Sequence, residues 1–383
     1  MSTDLLAGVR VLDLTNVLAG PYCCYQLALL GADVVKVEQP GGGDLARQLG
    51  ASAELNRAHM GASFLAQNAG KRSVALDLKD EDGRARLFEL VATADALVEN
   101  FRPGVMDRLG RGDQRLKAQR PPLVYCAISG FGQTGPLKDN PAYDQIIQGL
   151  SGIMSITGTP STAPLRVGYP VADTLGGLFG AFAVSAALLR ARTTGEGAFL
   201  DVSMLECTLS ALGWPVSNYL TAGVEPRPMG NDNMTAAPSG AFRTGDGLIN
   251  IAANKQQQFE ALCRLIGRPE LADDPRFAER EARRDNRAAL TEAIEAELAA
   301  APAALWEERM NRAGIPAGRV LTIPEVLDEP QVRDRAMTAA FPGVAGRDRP
   351  LTVVRGGFLV DGCPPLPKRP PPRLGEHQDE VLG

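Results

Sequence analysis

Five short β-branched runs alternate with helical patterns over the first 130 residues, and that rhythm limits the fold more than any other feature. The runs are VRVLDLT (9–15), ADVVKVE (32–38), RSVALDL (72–78), DALVEN (95–100) and LVYCAIS (123–129). Strands spaced widely enough for crossover helices pair in parallel, so this region reads as βαβ units of a doubly wound α/β sheet. The intervening segments carry helix signals: GPYCCYQLALLG has Pro21 near its start and Gly31 at its end, and DEDGRARLFELVATA opens on acids that suit a helix N-terminus. The first strand is not followed by G-x-G-x-x-G, so the nicotinamide and flavin fingerprint is missing.

From 143 to 222 the pattern turns mainly helical, with LGGLFGAFAVSAALLRAR as its most apolar helix and GAFLDVSM as a further strand. Pro215, Pro226 and Pro228 then mark a linker. The expected layout is a large sheet domain over 1–214, a linker over 215–229, and a smaller α+β domain over 230–335 that holds the strand GLINIAA and a helix from Gln256. A tail over 336–383 mixes a strand-like run with a Pro-rich segment before a short helix.

Composition narrows the partners. At 44% hydrophobic and 22% charged, the 383 residues are those of a globular protein. A net charge of −5 argues against nucleic acid or an anionic membrane as the main partner, since both need a basic footprint. MSTDLLAGVRVLDLT lacks a basic-then-apolar leader, which makes a cytoplasmic location the expectation. Six scattered cysteines without C-x-x-C, and only two histidines, argue against a zinc site or a disulfide framework, and no metal is expected.

One carboxylate stands out. In PLRVGYPVADTLGGLFGAFA (164–183), Asp173 sits between a Pro-bounded segment and an apolar run. An aspartate there suits an N-cap, accepting backbone N–H bonds at the helix start. It equally suits a nucleophile that attacks an activated carbonyl in a dry site. Elsewhere, Gly41 to Gly43 in VEQPGGGD would let a backbone approach phosphates, and Lys71, Arg72, Lys79 and Arg102 lie beside strand ends, where open α/β sheets bind ligands. Each of these also suits a plain turn or a solvated edge. Phe101 beside Asn100 offers an aromatic face for a purine or for core packing. Neither histidine stands near a G-x-S-x-G elbow, and G-x-x-x-x-G-K-[ST] is absent.

Taken in order, VRVLDLTNVLAGPYCCYQLALLGADVVKVEQPGGGD, NAGKRSVALDLK, VENFRPGVMDRLG, YDQIIQGLSGIMSITG, VADTLGG and LGEHQDEVL resemble the class III CoA-transferases, a family that also contains 2-methylacyl-CoA racemases and the formyl-CoA:oxalate transferase. The resemblance implies a Rossmann-like large domain built from both chain ends, a small domain, and two chains interlocked as rings in a homodimer. It places the acylated aspartate on Asp173. CoA or acyl-CoA would be a substrate rather than a tightly bound cofactor, held by Leu18, Ala19, Gln39, Leu76 to Lys79, Asn100, Phe101, Arg102, Arg108, Tyr143 and Asp144. The other substrates would be small carboxylic acids.

This chain departs from the pattern it resembles at identifiable places. Leu18 stands where the formyl/oxalate enzymes carry glutamine, Gln39 where arginine meets CoA, and GNDNMTAAPSGAF lacks their glycine-tetrad lid, which points away from oxalate as the acceptor. Tyr143 stands where a racemase carries its histidine base. The expected activity is therefore transfer of CoA from a short-chain acyl-CoA, with a dicarboxylyl thioester such as succinyl-CoA as a candidate donor, to a carboxylic acid. A second carboxylate would find a partner in Arg166 or in the polar groups of 230–239, although Arg166 equally suits an open surface. The alternatives are a racemase or epimerase using Asp173 as a base, and a non-catalytic CoA-binding protein.

Overall fold

The computed structural model describes residues 3–344 and 349–383; positions 1–2, in the stretch read for a leader, and 345–348, in the tail, lie outside the described residues. The β-branched runs become β1 (Arg10–Leu14), β2 (Asp33–Glu38), β3 (Arg72–Ala75), β4 (Ala96–Glu99) and β5 (Val124–Ser129), and Phe199–Ser203 adds β6. All pair in parallel in the order β3-β2-β1-β4-β5-β6, with Val11 opposite Val34 and Leu12 opposite Leu97. That is the order of the dinucleotide-binding doubly wound sheet, and its strand order reverses between β1 and β4.

Both faces of the sheet are covered, as alternating side chains of buried parallel strands require. Val11, Val34, Val98, Cys126 and Ile128 meet residues of two helices, Ala19–Leu29 and Val171–Thr194. Leu12, Leu14, Val35, Leu97 and Tyr125 point the other way, toward Leu87 and Val91 of the helix Glu81–Ala92 and Leu116 of Asp113–Gln119. Glycine sets the closeness of the first pair. A Cβ on Gly177 would fall 2.5 Å from the Ala19 carbonyl oxygen, and one on Gly180 would fall 3.2 Å from the Cys23 Sγ. The N-terminal turns of both helices are thereby drawn together at the C-terminal edge of the sheet.

The chain divides into two compact units, one of residues 1–155, 166–226 and 330–383, the other of 156–165 and 227–329. The expected layout kept 156–165 in the large domain. These residues cluster with the second unit instead, where the Gly230 N–H donates to the Gly158 carbonyl at 2.7 Å. The expected linker also starts too early, because Pro215 lies in the first turn of the helix Gly213–Ala222, where its missing N–H has no intrahelical partner to lose. The second unit packs an antiparallel sheet, β7 (Ser239–Arg243), β8 (Leu248–Ala252) and β9 (Ala317–Arg319), with helices around Phe259, Leu262, Ile294 and Trp306. In the first unit the tail forms the hairpin β10 (Thr338–Phe341) and β11 (Leu351–Val354), then docks through Pro372, whose carbonyl accepts from Arg47, and through Gln378, whose side chain pairs with the Ala75 backbone.

Candidate active site

The turn after β1 holds an unusual backbone. Val17 adopts φ +68°, the left-handed region that a β-branched residue rarely enters, and Leu18 follows at the start of the helix Ala19–Leu29. Side chains from elsewhere in the unit hold it there. Asp44 accepts from the Val17 N–H at 2.9 Å, Gln67 donates to the Val17 carbonyl at 2.8 Å, and Asn100 exchanges two 2.8 Å bonds with the Asn16 backbone.

Beneath the turn runs a fully buried ionic network. The Lys36 ammonium donates to the Thr15 carbonyl at 2.8 Å and lies 3.0 Å from Asp44 and 3.8 Å from Asp13; Lys71 binds Asp13 at 2.8 Å. Burial disfavours the Asp13 carboxylate, yet Lys36 and Lys71 outweigh it and hold its pKa below the usual value. Likewise burial opposes the Lys36 ammonium, and Asp13 and Asp44 reverse the direction. Lys71 and Arg72 are therefore not open strand-end cations. Lys71 is spent on Asp13, Asn68 and the Pro21 carbonyl, and Arg72, at the opening of β3, is spent on Asp33 and Glu380.

Asp173 occupies the first turn of the helix Val171–Thr194, and it does not cap that helix. The capping carboxylate is Asp144, from the start of the helix Asp144–Leu150: its Oδ1 accepts from the Ala172 N–H at 2.9 Å and the Asp173 N–H at 3.4 Å. Its Oδ2 accepts from the buried Gln148 at 2.7 Å. With the cap supplied by another element, the Asp173 carboxylate accepts no hydrogen bond from the described residues. Burial, and then the Asp144 charge, push its carboxyl up from 3.8 to about 7.

Asp173 lines a cavity of about 240 Å³ together with Asn16 to Ala19 after β1, Asn100 to Pro103 after β4, Ser129 and Gly130 at the end of β5, and Lys138 and Asn140 to Tyr143. A neighbouring cavity of about 230 Å³ is lined by Gln39 and Gly43 after β2, Leu76 to Lys79 after β3, and Val105 and Leu109; Asn16 and Phe101 line both. Strand ends at the switch point thus build two adjoining hollows, as open α/β sheets do. Twelve of the positions expected to contact the ligand or react fall on them: Leu18, Ala19, Asn100, Phe101, Arg102, Tyr143 and Asp173 on the first, and Gln39 and Leu76 to Lys79 on the second, with Phe101 shared. Arg108 is exposed and lines neither, and Asp144 is buried with Oδ1 on the helix start and Oδ2 on Gln148.

Sequence reasoning passed over Asn16, Val17, Lys138 and Glu99. Glu99 ends β4, accepts from the Phe101 N–H at 2.7 Å and from the Tyr125 hydroxyl at 3.3 Å, and is pushed by burial up to about 7. Its only sequence signal was position, the last residue of a strand at the binding edge.

The family model of CoA-transferase family III matches residues 6–378 of the chain. Succinate–glutarate CoA-transferase of Agrobacterium fabrum is 37% identical over 385 residues, covering 98% of this chain and 94% of that protein. Acetyl-CoA:oxalate CoA-transferase of Acetobacter aceti is 42% identical over 347 residues, covering 90% and 88%. Among solved structures, a CAIB/BAIF family protein from Brucella suis superposes with a TM-score of 0.86 at 36% identity, covering 98% of this chain and 99% of that one. The chain belongs to CoA-transferase family III, and it is an enzyme of that family.

Proposed function

We propose that the chain moves CoA from a short-chain acyl-CoA to a carboxylic acid through a covalent aspartyl-CoA thioester on Asp173. The observation that carries this reading is the relieved carboxylate. Asp173 lines a cavity at the switch point, lends no oxygen to the helix start because Asp144 does so, and its raised pKa gives a more basic and more nucleophilic carboxylate once ionised.

The cycle follows from the chemistry of that group. The Asp173 carboxylate adds to the donor thioester carbonyl and expels CoA thiolate, leaving an aspartyl-acyl anhydride. The thiolate then attacks the aspartyl carbonyl and releases the donor acid, which leaves CoA on Asp173. An acceptor carboxylate attacks this thioester to form a new anhydride, and the thiolate attacks its acyl carbonyl, giving acceptor-CoA and free Asp173. Water would hydrolyse either intermediate, so closely packed helices around Gly176 and Gly177 serve exclusion as well as approach.

Coenzyme A would lie across the two hollows, its nucleotide end toward Gln39 and Leu76 to Lys79 and its thiol toward Asp173, with Phe101 at their junction and Arg102 on the phosphates. The relatives named for succinate, glutarate, oxalate and mesaconate support dicarboxylates as the acid pair, and the oxalate enzyme returns that acid to the acceptors worth testing. A homodimer belongs to the same reading. Its support is the outer face of Val171–Thr194, where Leu178, Phe179, Phe182 and Leu189 are exposed, together with exposed Trp214 and Leu220 on the next helix but one.

The test is a matrix of acyl-CoA donors against carboxylic acids, run in deuterated water and read by mass spectrometry. The reading expects acceptor-CoA to accumulate without deuterium at the α-carbon. Deuterium exchange without transfer would instead mark the racemase.

A further inference from the structure

We infer that Arg166 selects dicarboxylic acids by binding the carboxylate that does not react, an inference that rests on the transferase reading above. The segment carrying Arg166 is built onto the site. Buried Gln148 accepts from the Val167 N–H at 2.8 Å and donates to the Tyr169 carbonyl at 3.3 Å, and the same side-chain amide donates to Asp144. Asp144 in turn holds the Ala172 and Asp173 backbone. One buried amide therefore ties Arg166 and Asp173 to a common frame.

The guanidinium is oriented but unspent. Its terminal nitrogen lies 3.9 Å from Asp144 Oδ2, close enough for attraction and beyond hydrogen-bond distance, and Oδ2 already accepts from Gln148. No hydrogen bond to the Arg166 side chain occurs among the described residues, and that side chain is about half exposed. Five N–H donors in a planar fork thus remain for a ligand, and that fork matches a carboxylate in a bidentate pair.

Charge makes the same demand. A dicarboxylate entering beside the Asp173 and Asp144 carboxylates meets like charge, and unit charges a few ångströms apart repel strongly at the effective dielectric of a protein surface. A cation beside Asp144 offsets the cost for the acid's second carboxylate, whereas a monocarboxylic acid lacks the group that would use it. Arg102 and Lys138 line the cavity and Arg166 does not, but they stand after β4 and in the 138–143 segment, whereas Arg166 stands on the frame that holds Asp173.

The test compares glutarate with pentanoate as acceptors from one donor, in the wild type and in Arg166→Ala, Arg166→Gln and Arg166→Lys. The glutarate-to-pentanoate ratio of kcat/KM should fall roughly 10- to 100-fold in the first two, the span of a charge-assisted hydrogen-bonded pair, with partial rescue by lysine. Arg102→Ala and Lys138→Ala should lower both acids together. A ratio unchanged in Arg166→Ala and Arg166→Gln, with wild-type preference for glutarate intact, overturns the role of Arg166 and leaves transfer standing. Parallel loss of both acids would show that Arg166 acts through Asp173 and not on the substrate. A wild type that transfers CoA only to pentanoate would defeat the dicarboxylate reading itself, and no transfer to either acid or to any acid in the matrix would defeat the proposed function.

Discussion

Asp173→Asn should abolish transfer and stabilise the protein at alkaline pH. The cause is the raised carboxyl, held at about 7 against 3.8 for the free group by burial and the Asp144 charge. Between those two values the native state keeps a proton that the unfolded chain has released, so stability falls as pH rises toward 7 and the full cost of ionisation is present above it. At 1.36 kcal/mol per pKa unit the cost reaches about 4 kcal/mol, and solvent access to the partly buried group reduces it to about 2 kcal/mol. The amide carries no charge and escapes this cost. Urea or thermal unfolding of wild type and variant should therefore show the variant more stable by about 2 kcal/mol at pH 8, with the difference gone near pH 4, where both forms are neutral. For a chain of this size that is a rise of a few degrees in Tm. Equal stability at pH 8, or a loss in the variant, would refute the claim that this carboxylate is held uncompensated.

Asp144→Asn keeps a helix-capping oxygen and removes the neighbouring charge, so the acid limb of the kcat/KM profile, set near pH 7 by Asp173, should move to lower pH; an unmoved limb would separate Asp144 from Asp173. Lys36→Met strands Asp44 in the core, leaves Asp13 to Lys71 alone and releases the Thr15 carbonyl, which should cost about 3 kcal/mol of stability and weaken CoA binding through the Val17 turn, as urea titration and calorimetry would show. The homodimer should survive dilution to nanomolar concentration in the analytical ultracentrifuge if its chains are interlocked, and a monomer there would reject interlocking.

Much of the sheet was legible because its strands are continuous β-branched runs, and five of the six lie within a residue or two of the runs that foretold them. RSVALDL is the exception: β3 stops at Ala75, and the rest of the run leaves the sheet to line a cavity. The environment of Asp173 was only half legible. Its place before an apolar helix is local information, but its freedom from capping depends on Asp144, which lies 29 residues earlier in the chain. The buried network was illegible for the same reason. Nothing near Lys71 announces that Asp13, 58 residues away, will neutralise it, so a cation beside a strand end looked available when it was not. Val17 was missed because a left-handed valine contradicts its own propensity and exists only through bonds from Asp44 and Gln67.

The central claim is that CoA rests covalently on Asp173. Enzyme incubated with a competent acyl-CoA and no acceptor, then split between hydroxylamine and borohydride, should yield the peptide containing YPVADTLGG as an Asp173 hydroxamate in one half and as the reduced alcohol in the other. An unmodified Asp173 in a sample that transfers CoA once acceptor is added, or a label on any other residue, would contradict the covalent route.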